Sequence, residues 1–371
     1  RINYDANGEN GALLLEPSRA NLVAFSEYHS GTAYGNANVS TTDNEAISPE
    51  GVQNAAKIVL DSGTNLSNGG HYLSFSSTGG TTYTISVFAK AGEYRYFTFT
   101  YGSAAAGGGH FDLQEGTLLG TITSAAYSNI TASIEDYGNG WYRLVVSLRD
   151  NASVGARFMS MKPSPSASVP NNNNYSSTGD GTSGAYIYGF QLEANATYPS
   201  SYIPTMGTSE TRAAESGTSA STNDLFTSGE GVVFMEFDID DVTISSYPQI
   251  FRIENPSDTT DKFWGYIFNN ANSGQIEFGY RLDEKGVKKS EGSFTIDTTT
   301  TAKIAMRLEN NNYAAYYNGT KDVPTQYAGV VGNLTKMVFS SVPYPVGVSL
   351  KQLVIINEAL SDSELATLTT L

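Results

Sequence analysis

The sequence predicts an all-β protein, built as two antiparallel β-sandwich domains of the jelly-roll kind in tandem. Three observations predict it. Runs of alternating apolar and polar residues recur at short spacing along most of the chain. Stretches rich in Gly, Asn and Ser separate them, and only one short segment near the end has helical character. Alternation with period two is the mark of a half-buried strand, and β-branched and aromatic residues suit the pleat, whereas Gly and Asn serve tight turns. The 371 residues exceed one small sandwich and suit two domains of roughly 150–200 residues each.

In order along the chain, Tyr83, Ile85, Val87 and Ala89 share one face of a strand over 82–90, and 94–101 forms a second. A short strand at His110–Leu113 ends in the turn Gln114-Glu115-Gly116. The segment 131–136 leads through Gly138-Asn139-Gly140 into 141–148, a hairpin with a glycine-rich loop. Another strand covers 186–193. Between these, the polar stretch 163–184, with its Asn171–Asn174 run, predicts a long mobile loop. Residues 206–222 predict a linker, which sets the domains at 1–205 and 223–371. Strands resume with 231–239 and continue at 249–254, 263–268, 275–282, 302–308, 313–317 and 350–357. Asn318-Gly319 is a strong turn signal. Ser361 as N-cap, with Glu364 three residues on, predicts a terminal helix with a capping box.

Composition narrows the function. With no cysteine, disulfides and thiolate metal sites are excluded. His29, His71 and His110 are scattered without metal-ligand spacing. A formal charge of −16, from 21 basic against 37 acidic residues, argues against nucleic acid and anionic membrane surfaces, both of which recruit Lys and Arg. No apolar run approaches the roughly 20 residues of a membrane span. The chain opens on Arg1, which predicts a processed product or part of a longer protein. Abundant Tyr, Asn and carboxylates supply what glycan binding needs, flat rings for sugar C–H faces and polar groups for hydroxyls, although any β-sandwich shares that composition.

An ordered set of landmarks covers most of residues 1–214. It comprises Gly11–Leu22, Ser48-Pro49-Glu50-Gly51, Tyr83–Gly92, Phe111-Asp112-Leu113, Gly138–Arg143, Gly189–Glu193, Tyr198–Thr205 and Thr211–Ala214. Together they resemble a domain of phage tail, fibre and spike proteins that is similar to carbohydrate-binding-module jelly rolls. Residues 223–371 resemble the concanavalin A-like lectin/glucanase superfamily in its laminin-G-like form, through Gly229-Glu230-Gly231, Lys303–Gly319 and Asn357–Leu365. The resemblance implies a non-catalytic adhesion protein on a virion or extracellular particle surface. Its implied partners are host cell-surface or capsular polysaccharide and other particle proteins, and a trimer is a common form. A polysaccharide-degrading hydrolase and a purely structural virion component are the alternatives.

Candidate residues follow. Trp264 and Tyr266 are the better ligand candidates, against the plainer reading that large aromatics pack in cores. Tyr94, Arg95, Tyr96 and Tyr313 lie in strands whose tyrosines fall on both faces. Glu236, Asp238 and Asp240 alternate as hydrolase carboxylates do, but the third is Asp, and the interleaved Val233, Met235, Phe237 and Ile239 define a core face, so the pattern is read as structural. The resemblance implies a structural Ca²⁺, with Glu16, Asp112 and Glu193 as candidate ligands. None has defined calcium-loop spacing, and solvated loop acids are the simpler reading of each. No other cofactor is expected.

Overall fold

In a computed structural model the described residues are 2–3, 12–67, 70–103, 105–151, 154–171, 176–214, 216–218, 230–239, 249–269, 273, 275–285, 287–297, 300–309, 312–322, 325–326, 334, 336–340 and 348–370. The chain divides into two compact units, a continuous one at Arg19–Arg212 and a split one at Arg1–Ser18 with Ala213–Leu371. Both are antiparallel sandwiches.

The continuous unit packs two six-stranded sheets over one core. One runs, in spatial order, Thr117–Ile122, Ala106–Asp112, Tyr96–Gly102, Gly155–Ser164, Gly70–Ser77, Tyr34–Ala37; the other Tyr127–Asp136, Trp141–Asp150, Thr82–Ala91, Gly184–Ala194, Gln53–Leu60, Val39–Ile47. Tyr83, Ile85, Val87 and Ala89 enter the core as the alternation requires, facing Phe97, Phe99 and Tyr101 of the opposite sheet. In the hairpin loop, Gly138, Asn139 and Gly140 all have positive φ. Trp141 is buried outside the core, its indole N–H donating to the Ile47 carbonyl, among Phe88, Tyr188 and Ala55.

The segment 19–27 runs beside the strand Gly184–Ala194, with backbone bonds from Leu22 to Leu192 and from Phe190 to Ser26 and with Val23 in the core. The segment 195–206 crosses the outer face of the second sheet, where the Ala196 and Ser200 carbonyls accept from Thr84 and Arg143. The Asn21 carboxamide, fully buried, donates to the carbonyls of Phe190 (3.1 Å) and Ile203 (2.9 Å) and accepts from the amides of Val23 and Leu192 (3.1 Å each). It thereby fills all its hydrogen-bonding positions with groups from both segments and the strand between them. That strand carries a bulge at Gly189, whose φ of +61° turns Phe190 into the core. A side chain at Gly189 would strike the rings of Phe88 and Tyr202. Arg143, also buried, donates to Ser86 Oγ and the Ser200 carbonyl, and Glu193 accepts from the Ser200 amide and hydroxyl.

The split unit packs two seven-stranded sheets over a second core. One contains Gly231–Ile239 between Ala302–Leu308 and Val348–Ile356, and Ala12–Leu15 adds to the far edge of Val348–Ile356. The other is centred on Gln249–Asn255, Asp258–Asn269 and Ile276–Glu284. The helix Asp362–Leu368, with Ser361 and Glu364 forming the capping box, places Leu365 against Val232, Phe234 and Tyr316. Asn318 and Gly319 both take positive φ between Tyr317 and Thr320.

Three expectations need correction. The domain reading 1–205 and 223–371 gives way to a split unit, because Ala12–Leu15 satisfies its backbone on Val348–Ile356. Residues 206–222 contain ladders where a linker was expected: Glu210–Arg212 pairs with Arg19–Asn21, and Ser216–Thr218 pairs with Lys336–Ser340, while 219–222 lie outside the described residues. In 163–184, Pro163 and Ser164 finish a strand and Ser176–Gly179 pairs with Gly63–Ser67; Asn172–Asn174 lie outside the described residues.

Each unit holds one of the two tryptophans, so a Trp264→Phe background isolates the unfolding signal of Trp141. In it, Asn21→Ala is expected to destabilise the continuous unit by about 3 kcal/mol, since it orphans buried donors and acceptors. Urea unfolding followed by Trp141 fluorescence checks this, and an unchanged midpoint refutes the role given to Asn21.

Candidate functional site

The strand Asp258–Asn269 sends Phe263 and Ile267 into the core. Between them Gly265 leaves room for the rings of Phe251 and Phe278, which a side chain there would strike. Alternation therefore places Lys262, Trp264, Tyr266 and Phe268 on the sheet's opposite face. Their rings form a row, with centroids 4.6 Å apart for Trp264 and Tyr266 and 5.7 Å for Tyr266 and Phe268. Tyr266 lies over Gly279 of the next strand, where a Cβ would sit 2.4 Å from its ring.

Charged residues frame this row in register. Arg252 and Arg281 are the cross-strand partners of Trp264 on either side, and Glu254 and Asp283 are those of Lys262. Each arginine Nε donates to the carboxylate two residues on, Arg252 to Glu254 and Arg281 to Asp283, both at 2.7 Å. Both carboxylates are buried, and each takes a second donor: Lys336 Nζ on Glu254 at 2.9 Å and the Trp264 indole N–H on Asp283 at 3.0 Å. Burial alone would raise the Glu254 pKa, but the bonds from Lys336 and Arg252 hold it below the ordinary value. The Lys262 ammonium and the Arg281 guanidinium stand 5.6 and 5.8 Å from the indole, within cation–π range. The structure thus brings the expected pair, Trp264 and Tyr266, together on one face. The charged frame was missed, although its spacing, Arg-x-Glu at 252–254 and Arg-x-Asp at 281–283, is visible in the strands.

The other expected residues do not join this face. Tyr313 is buried in the core of the split unit, so it offers no platform. In the continuous unit, Arg95 grips Asp112 through two nitrogens and lies over the Tyr96 ring, while Tyr94 packs against the core. Asp112 also accepts from the amides of Gln114 and Glu115, which orders that turn. Glu193 is held by Ser200, and Glu16 belongs to the split unit. Among the described residues no group of three or more His, Asp or Glu is placed to hold a metal ion. Glu236 and Asp238 lie on the face away from the core, and Asp238 is engaged by Lys351 Nζ (2.9 Å) and Thr301 Oγ1 (2.7 Å). Asp240 lies outside the described residues.

The continuous unit contains a cavity of about 670 Å³ lined by Phe25, Tyr28, Pro204 and Met206, with Glu27 and Arg212 among its polar walls. Glu27 accepts from the hydroxyls of Tyr188 and Tyr202, both at 3.0 Å. Sequence reasoning missed it, because its walls come from three separate stretches of the chain, 25–28, 203–206 and 210–212.

Comparison with known proteins adds little. No protein-family model and no curated protein matches the chain. Solved structures overlap part of it at low identity. The CBM40 of the Ruminococcus gnavus IT-sialidase bound to α2,3-sialyllactose is 16% identical, with TM-score 0.32, over 40% of this chain and 84% of that one. The SAP-like pentraxin of Limulus polyphemus is 13% identical, with TM-score 0.31, over 38% and 70%. The receptor-binding domain of botulinum neurotoxin type G is 11% identical, with TM-score 0.31, over 38% and 37%. What this chain binds is therefore read from its own residues.

A second titratable cluster bears on stability. His71 Nδ1 donates to Asn36 Oδ1 (2.8 Å), which leaves its Nε2 to accept from His29 Nδ1 (3.3 Å). His29 Nε2 is then a bare lone pair, buried without a hydrogen-bond partner among the described residues. Tyr34 packs on both rings, and Asp43 accepts from the His29 and Ser30 amides. Burial pushes the His29 imidazole down to about 3; burial, and then His29, push His71 well below its ordinary value against the pull of Asp43. Between an unfolded pKa of 6.5 and about 3, unfolded His29 binds a proton that folded His29 does not, so stability falls as pH falls, by about 1.4 kcal/mol per pH unit for this group. Urea unfolding from pH 7.5 to 4.5 should show that loss, and His29→Phe should flatten it. Equal slopes in the two proteins would rule out His29 as a source of it.

Proposed function

We propose that this chain is a glycan-binding adhesion protein and that the Trp264 face is where it holds its ligand. The observation that carries this reading is the row of Trp264, Tyr266 and Phe268 set among fixed hydrogen-bond donors. A pyranose presents a C–H face to an aromatic ring and hydroxyls around its edge, and guanidinium and ammonium groups beside the ring can meet those hydroxyls. The indole is anchored by Asp283 and the arginines by Glu254 and Asp283. Less side-chain freedom is then lost on binding than with unanchored groups.

The reading is non-catalytic. Glycoside hydrolysis needs an acid and a nucleophile or base facing each other across the scissile bond. Asp238 instead pairs with Lys351, beside Thr301. The ordered landmarks of residues 1–214 support a place on the surface of a phage or phage-like particle, with host surface or capsular polysaccharide as the ligand.

Trp264→Ala is expected to weaken binding of the full chain to encapsulated host cells about tenfold or more, a loss of about 1.4 kcal/mol or above. Trp264→Phe should retain part of the affinity. Cell-binding isotherms with capsulated and capsule-free cells decide it. Binding that ignores both the capsule and the Trp264→Ala change would sink this assignment.

A further inference from the structure

We propose that the ligand of the Trp264 face is an acidic polysaccharide, its anionic groups taken by Arg252 and Arg281 on either side of the indole, with Lys262 as a third cation. This rests on the glycan-binding reading above and names the class of glycan.

The argument starts from charge. The chain carries −16 overall, so an anion approaching most of its surface is repelled. This face is different: Arg252, Lys262, Arg281, Lys288 and Lys336 gather around Glu254, Asp283 and Glu291. Glu277, the cross-strand partner of Phe268, is a fourth carboxylate, so among the described residues five cations against four carboxylates leave a local excess of one positive charge.

Geometry carries the argument further. Each arginine is held by its Nε alone, so the carboxylate two residues on fixes the guanidinium plane while the terminal amino groups of both remain without a hydrogen-bond partner among the described residues. These side chains are 33% and 30% exposed. Lys262 has its stacking on Trp264 and no ion pair among the described residues. Two oriented guanidinium edges flanking one ring plane suit a sugar that stacks on the ring and carries carboxylate or sulfate at its rim, since guanidinium pairs with planar or tetrahedral oxyanions through parallel N–H bonds. The buried partners Glu254 and Asp283 each hold two donors already, so they position the cations and do not compete for the ligand's hydroxyls.

The test compares matched polymers on the full chain by biolayer interferometry: polygalacturonate against its methyl ester, and dextran sulfate against dextran. Binding to one or both acidic members is expected to exceed that to the neutral partner at least tenfold, and to weaken severalfold between 50 and 500 mM NaCl as screening grows. The pair that responds identifies carboxylate or sulfate. The double variant Arg252→Gln/Arg281→Gln should weaken acidic binding far more than neutral binding, so that the preference for the acidic member of each pair falls at least severalfold. Arg252→Lys/Arg281→Lys, which keeps the charge, should recover it in part. Thermal unfolding verifies that both variants fold. Trp264→Ala separates stacking from unspecific attraction, which would survive that change and would overturn the inference. Equal, salt-independent binding of acidic and neutral polymers overturns it too, while leaving the glycan-binding function in place. No binding of any polymer or of encapsulated cells removes both.

Discussion

Side chains alternate across a strand, so a sheet that gives one face to a core has a second face to account for. That constraint governs both units. In the continuous unit, the segment 195–206 crosses the outer face of one sheet and is tied at Asn21 to the segment 19–27 that flanks the same sheet. In the split unit, the terminal helix covers Val232, Phe234 and Tyr316 on the outside of one sheet. The other sheet of that unit solves the problem differently, with rings laid over glycine and ion pairs set between them.

The ion pairs there work because their members are unequal in exposure. Exposed pairs contribute little on their own. Glu254 and Asp283 are buried, however, and each receives two donors. They act as fixed posts for arginines whose outer edges stay available. The Arg95–Asp112 pair of the continuous unit uses the same chemistry to another end: Asp112 also ties down a turn, and its oxygens are fully committed.

Much of this was legible in the residues, and where it was not the reasons are physical. The inward set Tyr83, Ile85, Val87 and Ala89, the turn at Asn318-Gly319 and the capping box of Ser361 and Glu364 are local patterns, and each appears as read. The strand Ala106–Asp112 was recognised only from His110 onward, because its glycines look like a loop. They are required there by neighbours, since a side chain on Gly109 would strike the Phe111 ring and one on Gly108 the Phe99 carbonyl. Val287–Thr295 is a strand with few apolar residues and gave no periodic signal. Tyr313 sits in a segment with tyrosines on both faces, and only the folded sheet shows that its side is the core. The charged frame around Trp264 is a cross-strand property, and register is not written in any one strand.

The pairing of Leu13 with Leu350 has a consequence for the order of synthesis. Residues 12–15 leave the ribosome before the whole 19–212 segment, yet the strand they join, Val348–Ile356, is translated only after it. The 19–212 segment can close while its flanking strand is still waiting. During that interval Ala12–Leu15 has only Ile2–Asn3 on one side and an open edge on the other, and Val348–Ile356, once made, has an open edge until the two meet. Cutting the chain at a point between 205 and 223 would make that exposure permanent, so a dissected C-terminal piece needs residues 12–15 restored, for instance by circular permutation, to be a fair sample of the intact protein.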